Sequence, residues 1–346
     1  MRPEQRQSLG PHGLTITQLG LGGTGFGNMY RAMDEQTALA TAAAAWDLGI
    51  RYFDTAPLYG YGLSEQRLGA GLAAYNRDDY ALSSKVGYSL VPRADDEPDT
   101  TPFTEMPPLK GVFDYSRDAI LRSIDESLTR LQTDRIDILM IHDPDEGVSL
   151  QPGFDPYSAS HFDQVMEQTY PILHELREQK TVGAIGLGMN QWQMLCDFAR
   201  AGDFDCFLLA GRYTLLEQES SHQLLPLCQE KNIRIIIGGP YNSGILATGA
   251  VAGAHYNYAP APAEILQRTQ RIQDVCAAHK VPLQAAALQF PFGHPAVATT
   301  IPGSRTPEEL ESNAAFFAFP IPAAFWAELQ HQSLIDPQAP VPEGQT

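Results

Sequence analysis

Basic charge is scarce in this chain of 346 residues, where 23 Lys and Arg stand against 41 Asp and Glu for a formal net charge of -18. Clustered Lys and Arg are what hold a phosphate backbone, so this balance argues against a nucleic-acid partner and implies mainly solubility. No stretch approaches the roughly 18 to 20 uninterrupted apolar residues of a membrane helix. The opening Met1-Arg2-Pro3-Glu4-Gln5-Arg6-Gln7 lacks the apolar core of a signal peptide. A soluble cytoplasmic protein with no membrane partner is the expectation. Cysteine is also sparse: Cys196, Cys206, Cys228 and Cys276 show no CxxC spacing, which reads as buried thiols in a reducing compartment rather than a disulfide framework. None of the nine histidines lies in HExxH, and neither a GxSxG elbow nor a Walker loop occurs. Metal-dependent hydrolysis, serine hydrolysis and NTP hydrolysis therefore lose support, and no metal is expected.

What the chain has is core: 43% of it is hydrophobic, enough for one large domain. Short apolar runs, often β-branched, alternate with helix-length amphipathic stretches, the signal of a parallel α/β fold. Strands are expected near Gln18–Gly22, Arg51–Phe53, Ala81–Ser84, Ile136–Ile141, Ala184–Leu187, Cys206–Leu209, Ile233–Ile237 and Ala298–Ile301. Helices are expected over Asp34–Leu48, Ser64–Ala74, Ser116–Leu131, Phe162–Gln179, Gln191–Ala201, Gln223–Lys231, Ala263–His279 and Pro307–Ala315. Eight such units predict a closed (β/α)8 TIM barrel over residues 1–336. Arg6–Gln18, centred on Gly10-Pro11-His12-Gly13, reads as a β-hairpin covering the barrel floor. Long loops at Gly87–Gly111, Asp143–Ser158 and Gly244–Pro262 follow strands, so they should rim the mouth at the C-terminal face. Pro337–Thr346, rich in proline and without apolar period, is expected to be disordered.

Four groups suited to one proton transfer recur at strand ends. Phe53-Asp54-Thr55-Ala56-Pro57-Leu58-Tyr59-Gly60 sets a carboxylate at the end of a strand and a phenol on the loop behind it, while Lys85 and His142 close two other apolar runs. Singly, each has a bland reading: Asp as a helix cap, Tyr as a packed amphipath, His-Asp-Pro as a turn. At the ends of the second, third and fourth strands of one barrel, they converge. Gly20-Leu21-Gly22-Gly23-Thr24-Gly25 satisfies GxGxxG, yet Phe26-Gly27-Asn28-Met29-Tyr30-Arg31 separates it from the next helix. A Rossmann site needs its last glycine inside the helix opening, so that reading fails. Thr300-Ile301-Pro302-Gly303-Ser304-Arg305-Thr306-Pro307 instead joins the last strand to a helix, and its N–H donors and helix dipole suit a phosphate as well as an ordinary turn.

These motifs, with Leu63-Ser64-Glu65 and Leu68-Gly69, resemble the aldo-keto reductase family over about residues 8 to 317. The resemblance implies a catalytic tetrad of Asp54, Tyr59, Lys85 and His142. Tyr59 is then the proton-transferring group, Lys85 lowers its pKa, Asp54 keeps Lys85 charged, and neutral His142 holds the substrate oxygen. It also implies an NADP or NAD cofactor across the mouth. Gly23, Thr24, Asp54, Asn190 and Gly238 then lie near the nicotinamide, with Tyr213 or Tyr241 as aromatic surface. Gly303, Ser304 and Arg305 lie at the phosphates and Asn313 at adenine. Glu309 stands where many NADPH-preferring members carry Arg, which leaves the choice of cofactor open. Gly186-Leu187-Gly188-Met189-Asn190-Gln191-Trp192 and Gly238-Gly239-Pro240-Tyr241-Asn242-Ser243-Gly244 are most similar to the branch of aldose 1-dehydrogenases acting on L-fucose, D-threo-aldoses and L-galactose, near which a pyridoxal dehydrogenase falls. The implied reaction is oxidation of a small sugar at C1 to its lactone. The alternative is NADPH-dependent reduction of an aldehyde or ring ketone, and a monomer or small homo-oligomer is expected. The intact tetrad counts against a barrel that binds nucleotide without turnover.

Overall fold

A computed structural model describes residues 1–94, 96–97, 101–147, 155 and 157–344. Eight parallel strands form the centre: Leu21–Gly22, Tyr52–Asp54, Ala81–Val86, Ile138–His142, Ala184–Met189, Cys206–Ala210, Arg234–Gly238 and Val297–Ile301. Each pairs with its neighbour in chain order. Parallel bridges Leu19↔Thr300 and Gly22↔Gly303 join first strand to last and close the barrel.

Side-chain alternation sorts every strand into an inner and an outer row. Tyr52, Ala81, Ile138, Met140, Ala184, Cys206, Leu208, Ile236 and Ala298 fill the interior, whereas Phe53, Leu82, Leu139, Ile141, Ile185, Leu187, Phe207, Leu209, Ile235 and Ile237 belong to the larger apolar cluster outside. The β-branched runs suit strands covered on both faces by helices. Continuing the inner rows by two residues reaches Asp54 and His142, and continuing from Ala81 through Ser83 reaches Lys85. The barrel thus turns its polar inner residues towards the C-terminal mouth above an apolar plug.

The hairpin expected on the floor is present as Arg6–Leu9 paired with Leu14–Thr17. Its Leu9 and Ile16 join the interior cluster, and Arg6 reaches the carbonyl of Asp79 at 3.1 Å. The eight expected helices appear, Ala263–His279 with the expected ends and the others with shifted ones, among them Glu35–Asp47, capped by Asp34, and Arg117–Leu131. The Phe162–Gln179 expectation resolves into helix at Phe162–Gln164 and Tyr170–Glu178 around a π-helical turn, Val165–Thr169. Among the described residues three further α-helices, Ile245–Thr248, Leu283–Gln289 and Ala323–His331, were not expected. Leu283–Gln289 is buried at every position but Gln284, so no polar face gives its sequence a period to read.

The rim loops carry structure of their own. Tyr88–Pro92 pairs with Leu109–Phe113, and His255–Tyr256 with Ala259–Pro260. Residues 148–154 and 156 of the third loop lie outside the described residues. The tail corrects an expectation. Ala339 is buried and Val341 packs on the main core, while Gln330 Nε2 donates to the carbonyls of Pro337 and Ala339 at 3.2 and 3.0 Å. Isolated apolar residues between prolines suffice to seat a segment that has no regular period of its own. Residues 345–346 lie outside the described part.

Candidate active site

The ammonium of Lys85 is the hub of the mouth. Its Nζ donates to Asp54 Oδ1 and Oδ2 at 3.1 and 2.9 Å, to the carbonyl of Thr55 at 2.9 Å, and to the Tyr59 hydroxyl at 3.1 Å. Lys85 and Asp54 are 1% and 2% exposed, so the pair is closed off from water, where removing either partner strands a buried charge. Ser83, two residues back on the same inner row, donates to Asp54 Oδ1 at 2.7 Å. Gly188 faces the lysine stem: a Cβ there would lie 3.2 Å from Lys85 Cε.

Tyr59 sits on a compact loop held by Tyr59 N to the carbonyl of Ala56 at 3.1 Å and Gly62 N to that of Pro57 at 2.7 Å. The next residue, Gly60, has φ +62, and a Cβ on it would come within 2.4 Å of the Gly27 carbonyl oxygen. Only glycine allows that approach, which seats the tyrosine loop on the turn Gly25–Gly27. The His142 ring lies 5.8 Å from that of Tyr59, edge to face at 83°. The Tyr115 hydroxyl donates to the His142 carbonyl at 2.7 Å.

The electrostatics divide these groups. Burial first, and the Lys85 charge second, hold His142 well below the ordinary histidine pKa, so its ring is neutral and carries one N–H. Tyr59 departs from expectation. Burial, followed by the Asp54 and Asp143 charges, raises its phenol well above the usual value. Asp54 spends its charge on Lys85 but still opposes a phenolate nearby. The structure therefore presents Tyr59 as a protonated phenol that receives a hydrogen bond from an ammonium.

The residues expected at the cofactor line the ends of the first, second, fifth, seventh and eighth strands, with Asn313 on the helix that follows the last. Gly23 N donates to the carbonyl of Asp54 at 2.7 Å. Gly303 faces open space apart from Thr24 Oγ1, 3.2 Å from where a Cβ would stand. Ser304 is buried and accepts from Asn313 Nδ2 at 3.0 Å, and Asn313 Oδ1 accepts from Tyr241 at 2.6 Å. Thr306 caps the helix Pro307–Ala318 by accepting from Glu309 N at 3.2 Å. A glycine cradle, buried hydroxyl and capped helix start fit a phosphate-bearing nucleotide. Glu309 accepts from Arg305 N at 2.9 Å and meets its guanidinium at 3.4 Å. Asn190 donates to the carbonyl of Ala210 at 2.8 Å and hydrogen-bonds the Tyr258 hydroxyl from the loop after the seventh strand. Gly238 stands where a Cβ would be 2.8 Å from Leu208 Cδ2. Tyr213 is not a mouth residue: it is fully buried and packs on Phe290 at 5.3 Å, whereas Tyr241 is the one of the two that reaches Asn313.

The aldo/keto reductase family pattern matches residues 18–333 of the chain. The chain belongs to this family. It is 38% identical over 344 residues to pyridoxal 4-dehydrogenase of Microbacterium luteolum, covering 97% of this chain and 99% of that protein. It is 39% identical over 328 residues to D-threo-aldose 1-dehydrogenase of a Pseudomonas species, covering 93% and 96%. An aldo-keto reductase of Bacillus halodurans, solved in its holo form, has the same fold at a TM-score of 0.72 and 22% identity, with 98% of both chains covered. As an aldo-keto reductase, this chain is an NAD(P)-dependent oxidoreductase. Among the described residues, no group of His, Cys, Asp or Glu is arranged to hold a metal, no helix is long and apolar enough to cross a membrane, and all four cysteines are buried and free.

Several supports of this aldo-keto reductase site escaped sequence reading. Ser83 was legible, because it shares the inner row with Lys85. Glu65 is fully buried, accepting from Ser84 Oγ and Arg130 Nε, both at 2.6 Å, and so ties two helices to the lysine strand. Tyr115 reaches the site from a distant segment, and no local pattern marks it.

Proposed function

We propose that this aldo-keto reductase oxidises the cyclic hemiacetal of an aldose at C1 to the lactone, and that it prefers NAD. A nicotinamide cofactor held at the mouth by Gly303, Ser304 and Asn313 would supply the hydride acceptor for oxidation and the hydride donor for reduction. The neutral His142 ring donates its N–H to the C1 oxygen and orients it. Tyr59 must first release its own proton to solvent; as a phenolate beside Lys85 it then takes the hydroxyl proton as C1 loses its hydride, so proton and electron pair leave together and no charge accumulates on the sugar. Lys85 stabilises the phenol oxygen as its proton content changes, and Asp54 keeps Lys85 charged and aimed.

The observation that carries this reading is the four-way hold on Lys85 Nζ, which puts one ammonium between a buried carboxylate and the Tyr59 hydroxyl. The similarity to D-threo-aldose 1-dehydrogenase favours a sugar substrate. NAD follows from Glu309, whose carboxylate engages Arg305 and would repel a 2′-phosphate. The reductive alternative rests on a specific observation too: the raised pKa of Tyr59 leaves it in the acid form that carbonyl reduction uses.

A panel of L-fucose, D-arabinose and L-galactose with NAD and with NADP, beside aldehydes and ring ketones with the reduced cofactors, tests the proposal. Lactone formation with NAD at the highest kcat/KM is expected. Turnover confined to aldehydes or ketones with NADPH would make the reductive reading the correct one.

A further inference from the structure

Asp143 follows His142 where the fourth strand leaves the barrel, and its backbone turns into the left-handed region at φ +43. That conformation is uncommon for a residue with a side chain and recurs at functional sites. Its amide donates to the carbonyl of Gly188 at 3.0 Å, and the turn brings the carboxylate back towards the catalytic groups. Oδ2 stands 3.7 Å from His142 Nε2 and 3.4 Å from the Tyr88 hydroxyl, with the side chain 19% exposed. The first separation is too long for a hydrogen bond and the second is at its outer limit. A carboxylate oxygen so nearly enclosed normally has better partners. The Tyr88 and Phe113 rings, 4.4 Å apart, form one wall beside it, with Tyr88 also 5.3 Å from the His142 ring.

We propose that Asp143 is a specificity-determining residue, whose Oδ2 takes a hydrogen bond from the substrate hydroxyl on the carbon next to the reacting one. The proposal rests on the hemiacetal reading above. A substrate oxygen held by His142 lies a hydrogen-bond length from the ring, and a hydroxyl on the adjacent carbon lies about as far again from that oxygen. An acceptor 3.7 Å from Nε2 is within reach of that second hydroxyl. The groups facing Asp143 are Asp145, Lys85, Tyr88, Tyr59, Tyr115 and Tyr258. Burial and then Asp145 push its carboxyl up to about 7, while Lys85 and Tyr88 pull it down. Such an acceptor gains from any substrate donor and loses when a deoxy or alkyl substrate leaves it unpaired, which makes it a discriminator.

The test is a cycle of enzyme and substrate changes. Wild type and Asp143→Asn are each assayed on the panel aldose the wild type oxidises fastest, on its 2-deoxy counterpart, and on 4-nitrobenzaldehyde with reduced cofactor. Wild type is expected to prefer the aldose over its 2-deoxy form by roughly 10- to 100-fold in kcat/KM. Asp143→Asn should lose most of that preference, chiefly through KM, with little change on the nitrobenzaldehyde. Equal losses on all three substrates would overturn the proposal, since Asp143 would then be positioning His142. A preference that survives in the Asn variant would overturn it while leaving the function intact. A wild type that reduces the nitrobenzaldehyde but oxidises no aldose would sink both.

Discussion

Lys85 Nζ lies 3.1 Å from the hydroxyl oxygen of Tyr59 and 4.6 Å from the centre of its ring, so one ammonium touches both the acidic group and the π-face of the same phenol. Burial and two carboxylates outweigh it, and the phenol pKa lies well above its ordinary value. The ammonium does not make Tyr59 a ready base; it limits how costly the phenolate is. Proton transfer therefore has a sign that can be read from rates. Hydride transfer in the oxidative direction, measured by single-turnover absorbance so that cofactor release does not mask it, should climb with pH from neutral upwards. In the reductive direction it should stay level across neutrality, because the acid form is already full. An oxidative rate independent of pH would remove Tyr59 from the role.

Tyr59→Phe keeps the ring and deletes the proposed proton carrier. The expected result is a loss of roughly 10²- to 10⁴-fold in kcat, with the cofactor dissociation constant, followed by fluorescence titration, unchanged within about twofold. Weakened nucleotide binding with normal turnover of prebound substrate would contradict the assignment.

Gly188→Ala probes the same hub from behind. The new methyl would meet Lys85 Cε at 3.2 Å, and the lysine has no slack because four acceptors hold its tip. A shift of a few tenths of an ångström at the stem should cost roughly 10-fold or more in kcat, with secondary structure by circular dichroism unaltered. A fully active Gly188→Ala enzyme would mean that the lysine's placement is less exacting than its contacts indicate.

Much of this arrangement was legible in the sequence because barrels write it in period two. Ile138, Met140 and His142 share an inner row, as do Ala81, Ser83 and Lys85, so the apolar pattern of each strand announces which way its last polar residue points. The hairpin and the strand order followed from turn residues and from the regular alternation of elements. What stayed hidden depends on contacts between distant segments. Tyr115 beneath His142, and the Tyr258 hydroxyl on Asn190, are made by loops whose paths no local rule specifies. Tyr213 was misplaced for the same reason, since an aromatic just past a strand end turns outward or inward according to packing. The sign of the Tyr59 shift was misread because a motif names neighbours but not how thoroughly they are dehydrated.

The proposed preference for NAD turns on Arg305 and Glu309. The pair is partly exposed, with side chains 34% and 41% accessible, so its intrinsic stabilisation is small, yet it decides what charge the adenosine end meets. Glu309→Gln removes the repulsion and frees the guanidinium. The KM for NADP should fall by roughly 10-fold while that for NAD changes little, read from initial rates with each cofactor. An NADP KM that does not move would show that the 2′ position of the ribose lies elsewhere.

Asp143 also links the site to stability. Its carboxyl ionises near about 7 in the folded protein against an ordinary value of 3.8, so between about pH 4 and 7 the native state holds a proton that the unfolded chain has released. Stability must then fall as pH rises through that window, and above it the full cost of a charged, nearly enclosed carboxylate is present. Asp143→Asn keeps the shape and tolerates the left-handed backbone, as Asn commonly does. Its thermal midpoint should exceed that of the wild type by roughly 2 to 4 °C at pH 8, and the difference should vanish at pH 4, where both chains present a neutral group. Paired melts across that range check it. A variant less stable than wild type at pH 8 would show that the carboxylate is better paired than its long contacts to Tyr88 and His142 imply. A gain at pH 8 alongside a lost preference for the 2-hydroxyl would mark Asp143 as a group that costs the fold stability and serves the substrate.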